Sequence, residues 1–346
     1  MIPDILPMKP YFREAIWGGR GLVERYGKPL PNGCLIGESW EVSAYKNAES
    51  VVATGPLAGQ TLNALVFQYG AELMGQSVVE RFGTEFPLLI KLLDARDDLS
   101  IQVHPNDAYA RAEGLGIYGK MEAWYVLHSD GGQVAYGLRD GVGKADFEAA
   151  ICSNRVADMV RFFKVKTGDV VFVPPGTVHA LCKNVMVYEV QQSSDLTFRI
   201  WDYNRPGVDG KPRDLHIERS LDVIGFGAEM PKPQHWTDLL GSNHAVLVAS
   251  DYFRLERFGV MKMQEHIYDS FAALTVLSGM ARMKGEQEMF LARAGETFFV
   301  PARRGFSVVP EGGEVSYLIA SVPEKQCGDN SGIDGKASGG FTKKLS

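Results

Sequence analysis

Gly168-Asp169-Val170-Val171-Phe172-Val173-Pro174-Pro175 and Gly295-Glu296-Thr297-Phe298-Phe299-Val300-Pro301-Ala302 share one pattern: a glycine, an acid, an apolar run ending in Val, then Pro. Each reads as a strand that leaves a tight turn and stops at a proline, which has no N–H to continue a ladder. Chance likeness of two strands is the bland alternative, but the shared Gly-acid start and Val-Pro end argue against it. Two copies of one strand design point to two β-barrel domains of related architecture.

The rest of the chain has the same texture. Phe86–Leu93, Ala123–Leu127 and Val185–Val190 are further short apolar runs between Gly, Pro, Asn and Asp, and they read as strands. Apolar residues at helical spacing (Leu62, Leu65, Val66, Tyr69, Leu73) predict a helix over Thr61–Arg81. Asn106–Glu113 reads as a short capped helix, and Asp146–Phe162 and Asp214–Ile224 as two more. The fold class is therefore mainly β, two barrels with helical insertions. Prolines and polar residues cluster at 231–243 and suggest a boundary there. The expected division is an N-terminal catalytic domain over 1–235, a C-terminal domain without a metal site over 236–323, and a flexible Gly-, Ser- and Lys-rich tail over 324–346.

Composition narrows the function. A net charge of −6 and a pI near 5.7 argue against nucleic acid as a main partner, though not against a small anion held by local Lys and Arg. No apolar stretch is long enough to span a bilayer, and Met1–Lys9 lacks the basic-then-apolar order of a signal peptide. Cys34, Cys152, Cys182 and Cys327 are scattered without a C-x-x-C, which fits four structural thiols in a reducing compartment. The expectation is a cytoplasmic protein, and with no long heptad or apolar stripe, a monomer.

The strongest chemical signal is spread over three segments. Gln102 and His104 stand two apart, so on a strand they share a face. Glu122 precedes the run Ala123–Leu127, and His179 lies just beyond the first copy of the repeated strand. Two imidazoles, a carboxylate and a neutral oxygen suit a divalent ion such as zinc and leave a position for water or substrate. Singly, Gln102 and Glu122 read more naturally as surface groups, and each histidine is as readily a core residue. Together they favour a metal. Phe306 stands at the same distance from Gly295 as His179 from Gly168, so the second barrel keeps the scaffold and lacks the ligand. The other histidines (His128, His216, His235, His244, His266) form no tight spacing pattern and read as structural.

Candidate cations for an anionic substrate are Lys91, Lys120 and Arg199. Lys91 sits inside an apolar run, where a charge needs a partner or a wet cavity. The bland alternatives are a snorkelling Lys91 and an Arg199 bridged to Asp195 or Asp202. Glu189, in a run that reads as a strand, adds an acid; Glu189 or Lys120 would serve proton transfer.

These residues fall in runs that resemble the type I mannose-6-phosphate isomerases. The runs are Pro87 to Asp107, which contains Lys91, Ser100, Gln102 and His104; Gly-Lys120-Met-Glu122-Ala-Trp; Val173-Pro-Pro-Gly-Thr-Val-His179-Ala; and Ser194-Asp195-Leu-Thr-Phe-Arg199. They follow the family's order over about Lys9 to Val322, and the length resembles the shorter bacterial branch, which lacks the large helical domain of longer relatives. The resemblance implies a pair of cupin (jelly-roll) domains and one Zn2+ at Gln102, His104, Glu122 and His179. It implies interconversion of mannose 6-phosphate and fructose 6-phosphate through an enediol(ate). It further implies catalysis at Arg199, Lys120 and Glu189 and substrate contacts at Lys91 and Ser100. Trp17-Gly18-Gly19 and Gly37-Glu38-Ser39-Trp40-Glu41 also look like family motifs, with Trp17 as a sugar-pocket wall and core packing as its alternative.

The competing reading is a non-catalytic sugar-phosphate-binding or regulatory cupin. It predicts loss of at least one ligand or cation, and none is lost. A cupin dioxygenase would favour a facial triad open to oxygen, which a glutamine ligand and several cations fit less well.

Overall fold

A computed structural model describes residues 2–31, 33–207, 210–229, 232–239 and 243–324. Most of the expected tail, with Cys327, lies outside the described residues, as do Pro231 and residues 240–242 of the expected boundary.

The fold is mainly β and antiparallel. In the first half a seven-stranded sheet runs Gln234–His235, Asp169–Val173, Glu122–Ser129, Val185–Gln192, Leu88–Ala95, Tyr11–Gly19, Ile36–Val42. It faces a five-stranded sheet ordered Phe198–Trp201, Ile101–Val103, His179–Leu181, Gln133–Leu138, Val160–Lys164. In the second half a seven-stranded sheet built on His244–Ala249, Arg254–Val260, Val315–Ser321, Ala272–Ser278 and Thr297–Val300 faces a four-stranded sheet of Gln264–His266, Phe306–Pro310, Met280–Lys284 and Met289–Arg293. The early strands Leu6–Lys9 and Val51–Val52 complete the larger sheet of the second half, so the chain's start is woven into its end.

The repeated segments occupy equivalent places. Gly168 and Gly295 have φ of +93° and +85°, which explains why each strand opens on glycine. Val173 pairs with Glu122, and its counterpart Val300 pairs with Ala272. His179 pairs with Gln102, and its counterpart Phe306 pairs with His266. The register thus puts Ala272 where the first barrel has Glu122, Phe306 where it has His179, and His266 where it has Gln102. His266 is hydrogen-bonded to Tyr317 Oη at 2.8 Å and stacks on Phe306.

Two helix expectations need correction. Thr61–Arg81 is three short helices, Leu62–Tyr69, Ala71–Met74 and Gln76–Phe82, broken at Gly70 (φ +47°) and Gly75 (φ +99°). Positive φ leaves the right-handed helical region, and Gly75 packs so tightly that a Cβ would lie 2.6 Å from Asp269 O of the second half. Asp146–Phe162 is α-helical only over Lys144–Cys152; Asn154 turns at φ +58°, a short 3-10 helix follows over Val156–Met159, and the chain re-enters a sheet at Val160–Lys164. The helix at Asn106 forms as expected over Asp107–Ala112, with the Asn106 side chain accepting from Tyr109 N, and the last one covers Ile217–Val223.

Candidate metal centre and active site

Two cross-strand rows face each other inside the first barrel. On the larger sheet, Trp40, Lys91, Glu189 and Trp124 are successive register partners, and Glu122 lies two residues from Trp124 on the same face. On the smaller sheet, Arg199, Gln102 and His179 are successive partners. The Trp124 and His179 rings meet edge to face at 5.5 Å and close the gap between the sheets.

Among the described residues, one group of three or more His, Cys, Asp and Glu side chains converges closely enough to hold a metal. It is His104, Glu122 and His179, with ligand atoms within 4.8 Å of one another. His179 Nε2 is 3.2 Å from Glu122 Oε1, and His104 Nε2 is 3.4 Å from Oε2. Each imidazole is oriented from behind: His104 Nδ1 is 2.8 Å from Leu196 O and His179 Nδ1 is 2.9 Å from Thr177 O. A carbonyl can only accept, so each Nδ1 carries the proton and each Nε2 offers its lone pair inward. Burial first, then Lys120, pushes His104 down to about 3, so its ring is neutral. Burial raises Glu122, but Lys120, with Nζ 2.8 Å from Oε2, outweighs it and holds the carboxyl well below its ordinary range.

These residues fit a metal. All three are fully buried, and neither Glu122 oxygen accepts a well-directed hydrogen bond, although Oε2 lies 2.8 Å from Lys120 Nζ. A buried carboxylate with unused lone pairs beside two inward-facing imidazole nitrogens is a donor set for a divalent cation. Gln102 Nε2 is 3.3 Å from His179 Nε2, and Gln102 Oε1 accepts from Ser100 Oγ at 3.4 Å. Turning that amide over would bring its oxygen to the same place.

The cations differ in their surroundings. Lys91 is 3% exposed, with Nζ 3.1 Å from Glu38 Oε2, 3.6 Å from Glu189 Oε1 and 4.6 Å from the centre of the Trp40 ring. Burial opposes its charge, but Glu38 and Glu189 prevail and raise its pKa. Glu38 is driven up by burial and down, further, by Lys91 and Arg13, to about 2. Glu189 is raised by burial and by Glu122; Trp124 Nε1 donates to its Oε2 at 2.9 Å and its Oε1 accepts no hydrogen bond. Arg199 makes no ion pair among the described residues: Asp195 is taken by Arg13 at 3.0 Å and Asp202 by Arg205 and Arg213. Its guanidinium donates to Asp214 O at 2.9 Å, and its buried Nε has no acceptor. Trp17 lies in a core cluster with Leu93, Val126 and Val187.

Residues 5–146 match the family model described as phosphomannose isomerase type I, catalytic domain. The chain is 36% identical over 301 residues to the probable mannose-6-phosphate isomerase GmuF of Bacillus subtilis (strain 168), covering 86% of this chain and 93% of that one. The chain belongs to the mannose-6-phosphate isomerase family. A mannose-6-phosphate isomerase of Streptococcus mutans is also 36% identical, over 298 residues, with 85% and 91% covered. The crystal structure of the mannose 6-phosphate isomerase from Bacillus subtilis superimposes with a TM-score of 0.82 at 31% identity, covering 92% of this chain and all of that one.

Several residues of the isomerase site were not singled out by sequence reasoning. Glu38 stood within a noted motif, but its tie to Lys91 depends on the pairing of Ile36–Val42 with Leu88–Ala95. Trp124 closed the Gly-Lys-Met-Glu-Ala-Trp run, yet only the register places it beside Glu189. Arg13 carries no spacing signal; it pairs with Asp195, which the sequence had offered as a partner for Arg199.

Proposed function

We propose that this chain catalyses the interconversion of mannose 6-phosphate and fructose 6-phosphate with one zinc ion. The observation that carries the reading is the buried His104–Glu122–His179 donor set beside a second, proton-capable carboxyl at Glu189. His104, Glu122 and His179, with Gln102 turned over, would hold the zinc. The metal, when bound, supplies a Lewis acid that polarises the sugar carbonyl and steadies the enediolate oxygen.

The chain's own groups take the remaining work. Glu189 moves the proton between the two adjacent carbons; its raised pKa and an Oε1 that accepts no hydrogen bond suit a group that both takes and returns a proton. Trp124 fixes that carboxyl through Oε2, and Lys91 keeps a positive charge beside it when it ionises. Lys120 holds its ammonium against Glu122 at the edge of the donor set, where it meets charge developing on substrate oxygen. Arg199, free of carboxylates, and Ser100 bind the phosphate; an unpaired guanidinium is a ready two-pronged donor for such a group. Lys91 and Trp17 complete the substrate side, Lys91 by charge and Trp17 by supporting the wall behind Trp124.

The substrate is thus a small phosphorylated sugar. No helix among the described residues is long and apolar enough to cross a membrane, and a cytoplasmic location fits the free thiols of Cys34, Cys152 and Cys182. We assign the metal and active site to residues 1–235 and a supporting barrel to 236–323. Incubating the zinc-loaded enzyme with mannose 6-phosphate in deuterated water tests the chemistry. Deuterium at C2 of mannose or C1 of fructose supports proton transfer through an enediolate, and isomerisation without any solvent exchange in either direction points to hydride transfer.

A further inference from the structure

The segment carrying Lys120 and Glu122 is tied down at three consecutive backbone N–H groups. Gly119 N donates to Asp107 Oδ1 at 2.7 Å, Lys120 N to Pro105 O at 2.9 Å, and Met121 N to Gln192 Oε1 at 2.9 Å. Gln192 is itself held by Asp107, donating Nε2 to Oδ1 at 2.9 Å. Asp107 therefore governs the N–H groups on both sides of Lys120, one directly and one through Gln192. The approach is close: a Cβ on Gly119 would come within 2.4 Å of Pro105 O. The other oxygen, Oδ2, accepts from Tyr252 Oη at 2.7 Å. Tyr252 lies between the strands His244–Ala249 and Arg254–Val260 of the second barrel.

We infer that Asp107 is a positioning residue for the Lys120–Glu122 segment and that Tyr252, acting through Asp107, links the second barrel to the active site. A carboxylate that accepts two amide N–H bonds and one phenol O–H has its orientation set on both oxygens. Its neighbours His104 and Pro105 share the same short stretch of chain, so one fixed carboxylate holds the spacing between a metal ligand on one segment and Lys120 and Glu122 on another. Misplacement of such groups by an ångström is costly to rate without loosening the fold. The alternative role for Asp107 is local: it begins the helix Asp107–Ala112 and lies 3.7 Å from Arg111, an exposed i,i+4 pair of little consequence.

The inference rests on the isomerase reading, and its test separates the two. Asp107→Ala, Tyr252→Phe and the double variant are compared with the parent as zinc-loaded full chains. The readouts are kcat and KM for mannose 6-phosphate, zinc affinity by chelator competition, and thermal melting. The relay predicts that Asp107→Ala lowers kcat per bound zinc about 10- to 100-fold and zinc affinity about tenfold, with KM within about threefold. Asp107→Asn, which keeps an acceptor for Gly119 N, recovers most of that loss. Tyr252→Phe lowers kcat about three- to tenfold, and the double variant is no worse than Asp107→Ala. Lower melting with unchanged kcat per bound zinc in Asp107→Ala and Tyr252→Phe overturns the relay. So do effects that multiply in the double variant. If Asp107→Ala does not fold, Tyr252→Phe decides, since a purely structural phenol leaves kcat at its parent value. An inactive parent would overturn the isomerase reading instead, and the zinc affinities would still decide the relay.

Discussion

Lys91 and Glu189 face each other across two adjacent antiparallel strands, with Nζ 3.6 Å from Oε1, and both are buried. A carboxyl placed there has a cation beside it for its ionised form and burial that favours its protonated form. Glu189→Gln keeps the shape and an acceptor for Trp124 Nε1 but cannot carry the proton. The expected result is a fall in kcat of about 10²- to 10⁴-fold with little change in KM, read in steady-state assays. A parent-like kcat would move the proton-transfer role elsewhere, with Lys120 the next group to test.

His104→Ala removes one of the two inward-facing Nε2 donors and leaves its carbonyl partner, Leu196 O, behind. The variant should retain the fold by circular dichroism yet lose both bound metal and activity. Metal analysis of the parent should find one tightly held ion per chain, because the second barrel presents Ala272 and Phe306 at the positions of Glu122 and His179. Two ions of comparable affinity would contradict that assignment.

A second buried pair joins the two halves. Lys28 Nζ lies 2.7 Å from both Glu41 oxygens, and Glu41 also accepts from Ser39 Oγ at 2.6 Å and from Thr297 Oγ1, in the second barrel, at 2.9 Å. Lys28→Met would strand a fully buried carboxylate and should cost about 3–5 kcal/mol of stability. Denaturant unfolding measures this; a loss below about 1 kcal/mol would contradict it.

Acid should act on the second barrel through His266. Burial pushes its imidazole from 6.5 down to about 4, so the folded state holds it neutral. The unfolded chain takes up its proton first. The stabilisation is therefore fully present above pH 6.5 and is lost as pH falls from 6.5 toward 4. His266→Gln should flatten the dependence of melting temperature on pH across that window. An unchanged slope would show that other groups dominate it.

Much of this arrangement was legible in the sequence because it depends on local rules. The Gly-acid to Val-Pro strand marks both barrels, since a positive-φ glycine and a pairing-ending proline are needed at the same two points of each. The proposed ligands were legible because Gln102-x-His104 and His179 adjoin recognisable strands. What was hidden depends on register and tertiary approach. Nothing near Glu38 announces Lys91, and nothing near Asp107 announces Tyr252; those contacts exist only once the strands pair and the barrels dock. The broken helix over Thr61–Arg81 was missed for a different reason. Its apolar spacing persists through Gly70 and Gly75, but the close contact of Gly75 with Asp269 and the positive φ values at both glycines override the pattern.

The most direct test is a coupled assay for fructose 6-phosphate formed from mannose 6-phosphate, run on chelator-stripped protein before and after zinc is restored. Zinc-dependent isomerisation is the predicted result. Absence of turnover with zinc or any other divalent ion, in protein that is folded and binds mannose 6-phosphate, would contradict the account and leave a sugar-phosphate-binding protein in its place.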